Sequence, residues 1–219
     1  MLFFKRRPKV VPATELLTNF DGYRLKRGGS YLVKEPKPER SFEIFTNMVK
    51  GVCAECPQTE AFPCESIVCM ECTLSCPCKH CKYTRAQGLC FATDQPEGLM
   101  QRYLLQTTPV FWISKHGKGS INPANIEIMA GMINEFFRTS KNPVVLLDGI
   151  EYIIITNGFI PVLKFLHDLR EWAILHNAIL ILPLNPATLD EKELALIERN
   201  MQPLDFSSKA FENYNIIQR

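Results

Sequence analysis

Two spacings of apolar residues alternate along most of this chain. Short apolar runs at residues 30–34, 88–93, 110–114, 143–148 and 178–183 read as strands. Two of them, Val144–Val145–Leu146–Leu147 and Ile179–Leu180–Ile181–Leu182, are apolar at every position, as expected of strands buried on both faces. Between the strands the period lengthens to that of a helix. Phe42, Phe45, Met48 and Val49 form one stripe, with Ser41 as the expected N-cap. Ile126, Met129, Ile133, Phe136 and Phe137 form a second, over residues 125–138. Val162, Phe165, Leu166, Leu169 and Trp172 form a third, over 160–176. A short helix is predicted at 99–105. Another is predicted at 190–199, capped by Thr188 or Asp190, with Glu191 and Glu193 in the first turn where the helix dipole favours them.

Strand and helix in alternation, with buried β-branched strands, predict an α/β three-layer sandwich around a mainly parallel sheet, RecA-like or Rossmann-like. Residues 30–51 and 87–200 make up this α/β domain. Residues 1–29 form a basic N-terminal extension and residues 201–219 a C-terminal tail. Residues 52–86 break the pattern. Their apolar residues are too few to fold about 35 residues unaided, so this segment needs a metal or disulfides.

The cysteines supply that need. Of nine in the chain, eight fall in this segment: Cys53, Cys56, Cys64, Cys69, Cys72, Cys76, Cys78 and Cys81. Three pairs, Cys53/Cys56, Cys69/Cys72 and Cys78/Cys81, have the two-residue gap that lets one tight turn aim two thiolates at one metal ion. Eight thiolates make two closed four-cysteine sites with none left over. Two zinc ions are the first reading, with Cys53, Cys56, Cys78 and Cys81 as one site and Cys64, Cys69, Cys72 and Cys76 nested inside it; a sequential grouping is the other pairing. Lys79, His80, Lys82 and Arg85 offset part of the thiolate charge, and His80 is a substitute ligand. An iron–sulfur cluster is the alternative. Cys69, Cys72, Cys76 and Pro77 match the end of the bacterial ferredoxin run, which here lacks its first cysteine. Cys90, alone on an apolar run, reads as a core thiol.

Composition narrows the remaining classes. An apolar fraction of 46% fits a globular protein, and a net charge of +2 favours no class of partner. No apolar run reaches the roughly 18–20 residues of a membrane span. The N-terminal MLFFKRRPKV lacks the features of a signal peptide, so the expected location is the cytoplasm, where clustered cysteines hold metals rather than disulfides. Lys5, Arg6, Arg7, Lys9, Arg24, Lys26 and Arg27 make the extension basic. This leaves a solvated tail or a polybasic contact as its two readings.

An order of strand, loop, helix and a later apolar strand ending in aspartate invites comparison with ATPases of the RecA type. Their first loop needs glycines and a lysine to cradle phosphate. Here residues 35–41 read EPKPERS. There is no glycine, two prolines remove amide donors, and Glu35 and Glu39 repel phosphate. The phosphate loop is degenerate and no nucleotide is expected. Asp148, Glu151 and Asn157 mark a candidate ligand crevice at the carboxyl end of the sheet. No catalytic motif is present, and the four histidines are scattered.

The stretches SYLVKEP…SFEIF, GLCFATDQPEGL, TPVFWIS, VVLLDGIEYII…NGFIPVLKFLHDLRE and ILPLNPATLDEKELALIER resemble an archaeal family known as domain of unknown function 835. The resemblance implies an archaeal, cytosolic RecA-like or Rossmann-like domain and transfers no catalytic residue. It also implies that residues 52–86 replace a short link and carry what is particular to this chain.

The expected function is a non-enzymatic regulatory or scaffolding subunit that binds a protein partner, or sits in a larger complex, through the metal-stabilised knob. The alternatives are an iron–sulfur redox or oxygen-sensing accessory subunit, a zinc-dependent nucleic-acid-binding protein, and a ligand sensor using the crevice.

Overall fold

A computed structural model describes residues 19–20, 23–50, 86–105 and 107–204. The short strands β1 (Asn19–Phe20) and β2 (Tyr23–Arg24) pair as an antiparallel hairpin. The body follows as β3 (Gly29–Lys34), α1 (Arg40–Lys50), β4 (Gln87–Ala92), α2 (Pro96–Tyr103), β5 (Val110–Trp112), α3 (Ile126–Thr139), β6 (Pro143–Leu147), α4 (Ile150–Asn157), α5 (Phe159–Leu175), β7 (Ile179–Leu184), α6 (Glu191–Asn200) and β8 (Gln202–Leu204). The six strands β3 to β8 form one parallel sheet in the order β5-β4-β6-β7-β3-β8.

The alternation of side chains along a strand divides the apolar residues between two cores. On β4, Leu89 and Phe91 face one layer, while Cys90 and Ala92 face the other. On β6, Val145 and Leu147 go with the first, Val144 and Leu146 with the second. The first core is closed by α3, α4, α5 and α6 through Met129, Ile133, Ile153, Leu166 and Ile197. The second is closed by α1 and α2 through Phe42, Phe45, Met48 and Leu99. Every residue of β6 and β7 is buried. The expected three-layer α/β arrangement with a parallel sheet is present.

Several local expectations are corrected. Ser41 is not the cap of α1. It lies inside the first turn, fully buried, and its hydroxyl has no partner. The α2 helix begins at Pro96, a residue pre-set for the first helical turn, and ends where Leu104 turns left-handed at φ 53°. Residues 150–157 form a helix that the sequence reading did not assign. The C-terminal tail does not start at residue 201, because β8 pairs in register with Tyr31, Leu32 and Val33. The N-terminal extension is also partly absorbed. Leu25 is buried in the second core, and Arg27 donates to the Pro143 carbonyl at 3.2 Å. Burial lowers the Arg27 pKa to about 10. Arg27 is therefore part of the body and not of a solvated basic tail.

Asp190 caps α6 as one of the two expected residues. Its carboxylate accepts from the Glu193 amide at 2.8 Å, and Glu193 reaches back to the Asp190 amide at 3.4 Å. Among the described residues, no helix is long and apolar enough to cross a membrane.

Candidate functional site

The helices that follow β3 and β4 cover one face of the sheet, and those that follow β6 and β7 cover the other. Chains leaving neighbouring strands in opposite directions open a crevice at the carboxyl edge of the sheet. A cavity of about 290 Å³ lies there. Glu35, Thr93, Asp148, Glu151, Asn185 and Thr188 bring its polar groups together.

Asp148 follows β6 directly and is only 7% exposed. Its carboxylate accepts from the Thr93 amide and the Thr93 hydroxyl, both at 3.3 Å. Gly149 then turns the chain at φ 85° into α4. Glu151, in the first turn of α4, accepts from the Asn185 amide at 2.8 Å and so ties α4 to the loop after β7. Burial, reinforced by the nearby Glu151 charge and opposed by the bonds from Thr93, pushes the Asp148 pKa up from 3.8 to about 6.

That shift sets a pH dependence. The folded chain holds the Asp148 proton more tightly than the unfolded chain, so this group favours the fold when protonated. Its contribution falls as pH rises from about 4 through about 6, then levels off. Asp148→Asn, which keeps an acceptor for Thr93, is expected to stabilise the protein at pH 8 by about 2 kcal/mol. It should have no such effect at pH 4. Urea unfolding at the two pH values checks this.

Glu35, at the end of β3, turns back over the start of α1. One carboxylate oxygen accepts from the Glu39 and Arg40 amides at 3.1 and 2.8 Å, and the other from the Ser41 amide at 3.1 Å. A single buried carboxylate thereby satisfies three of the amides that a helix N-terminus leaves without partners. The prolines at 36 and 38 bend the intervening chain so that this contact can form.

Of the three residues expected at the crevice, Asp148 and Glu151 line the cavity and Asn157 does not. Asn157 ends α4, where its amide donates to the Pro123 and Ile153 carbonyls at 2.8 Å each. The helical path of residues 150–157 carries it away from the sheet edge. Thr93 and Asn185 were not identified from the sequence. They partner the acids only because β4 and β7 lie on either side of β6.

Cys53, Cys56, Cys64, Cys69, Cys72, Cys76, Cys78 and Cys81, with His80, lie outside the described residues. Among the described residues, no cluster of histidine, cysteine and acidic side chains could hold a metal. Cys90 is a free thiol on β4, fully buried, and burial followed by the Asp148 charge pushes its pKa well up. The last residue of the cysteine segment, Ala86, meets Met48 in the last turn of α1. The Ala86 amide donates to the Met48 carbonyl at 3.1 Å, so the chain leaves α1 and enters β4 at one point.

A family model described as "Protein of unknown function (DUF835)" matches residues 78–201, and the chain belongs to that family. The match starts inside the cysteine segment, so β3 and α1 lie upstream of it. No curated protein matches the chain. A solved structure of a Pyrococcus horikoshii OT3 protein, studied under the project name PH0250, is similar at 10% identity. It covers 84% of this chain and 85% of that one, with a TM-score of 0.48.

Proposed function

We propose that this member of the DUF835 family is a non-enzymatic regulatory or scaffolding protein of the archaeal cytoplasm. In this reading, a metal-stabilised cysteine-rich insertion binds a protein partner and the α/β body serves as its platform. The observation that carries it is the closed neck between Met48 and Ala86. An insertion whose ends meet leaves the host sheet intact and can fold as its own unit around two zinc ions held by Cys53, Cys56, Cys64, Cys69, Cys72, Cys76, Cys78 and Cys81. Closed four-thiolate sites leave no open coordination position, which favours recognition over metal catalysis.

The phosphate loop is degenerate in this account. In a nucleotide-binding fold the amides at the start of α1 would meet a phosphate. Here the Glu35 carboxylate fills that place, so the body needs no nucleotide.

The experiment is affinity capture from extracts of the source cells. The zinc-loaded chain is compared with a variant carrying Cys78→Ser and Cys81→Ser. A partner held by the first and lost by the second, with the body melting at the same temperature in both, supports the proposal. A partner set that does not change refutes it.

A further inference from the structure

We propose that a second cleft, beside the amino-terminal end of β3, binds a small organic anion through a phosphate or carboxylate group. The cleft has a volume of about 390 Å³ and lies between β3, α5 and α6, at the end of the sheet away from the crevice. Arg170 on α5 and Arg199 at the end of α6 both line it. Neither guanidinium takes part in an ion pair or hydrogen bond among the described residues.

The one acid in the lining, Glu198, is held by the Lys34 ammonium at 2.9 Å. That pair cancels, and the cleft keeps the positive charge of the two arginines. Guanidinium groups present paired donors that match the oxygens of a carboxylate or phosphate.

The third observation is a hydroxyl. Ser30 is 7% exposed and lines the same cleft. Its side chain faces the α5–α6 layer, since Leu32, two residues further along β3, packs in that core. The Ser30 hydroxyl is buried without a hydrogen-bond partner. A buried polar group left unpaired is costly, so this wall of the cleft holds a hydrogen-bond donor whose need is unmet. Ile174, Met201 and Pro203 add an apolar wall for the rest of the ligand.

The test is calorimetric titration of the whole chain with inorganic phosphate and, separately, with malonate. One saturable site is expected, weakened by added sodium chloride. Arg170→Gln and Arg199→Gln should each weaken it about tenfold or more, the loss of one charge-assisted contact. Arg199 is exposed, so its replacement leaves the fold intact, and melting without anion verifies this for both variants. The tighter of the two anions identifies the headgroup. Absence of saturable binding with both anions, or unchanged affinity in both variants, overturns the proposal.

Discussion

Gly149→Ala is expected to destabilise the protein by about 3 kcal/mol, from two separable causes. Gly149 sits at φ 85°, in the left-handed region where a side chain costs about 1–2 kcal/mol. A Cβ placed there would also lie 2.3 Å from the Thr93 methyl carbon. Thr93 cannot rotate away cheaply, because its hydroxyl and amide both bond to Asp148 and its β-branched side chain is stiff. The substitution therefore strains the crevice itself. Thr93→Ser removes the methyl and keeps the hydroxyl. In that background Gly149→Ala should cost about half as much, the backbone share alone. Chemical denaturation of the four proteins of the cycle measures both parts. Equal costs in the two backgrounds would show that Thr93 does not pack against Gly149.

Glu35→Ala is expected to cost a similar amount, about 3 kcal/mol. It strips three amides of their acceptor at the start of α1, beside the fully buried Ser41. Water has little access there to replace the carboxylate. Glu35→Gln keeps one acceptor oxygen and should cost about 1 kcal/mol. The alanine variant also probes whether the start of α1 can seat an anion. With the carboxylate gone, the helix N-terminus becomes open to an anion. Phosphate should then raise the melting temperature of Glu35→Ala more than that of the unsubstituted chain, since a ligand bound only to the folded state stabilises it. An equal rise in both would mean that the prolines, and not Glu35, close the seat.

Strands β4, β6 and β7 could be read from the sequence because burial on both faces leaves no polar position to obscure them. Leu89 and Phe91 serve one core while Cys90 and Ala92 serve the other, and both pairs are apolar. Helix α4 was hidden for the opposite reason. Its run Ile150–Glu–Tyr–Ile–Ile–Ile–Thr is rich in β-branched residues that favour strands. The Gly149 turn and the burial of Ile150 and Ile153 three residues apart override that preference. Ile155, on the outer side of the same helix, is 82% exposed.

Strand β8 was missed because it has three residues, one of them Pro203, and owes its place to the free edge of β3. The candidate site was half legible. Asp148 announces itself as an acid at the end of an apolar strand. Its partner Thr93 is 55 residues away, and only the sheet order brings the two together. The Glu35 cap was concealed by distance, since it reaches across four residues to the first amide it binds.

The central claim is that eight cysteines fold the insertion around metal. Its most direct test is to purify the protein without oxygen and to measure zinc, iron and sulfide per chain. About two zinc ions per chain and a colourless protein are predicted, since closed four-thiolate sites hold one zinc each. Loss of this zinc on Cys78→Ser with Cys81→Ser, or on chelation, should unfold the insertion and leave the α/β body folded beyond its closed neck. Iron with sulfide and a brown colour would contradict the account and make electron transfer or redox sensing the function. A metal-free chain with its cysteines joined as disulfides would contradict it as well.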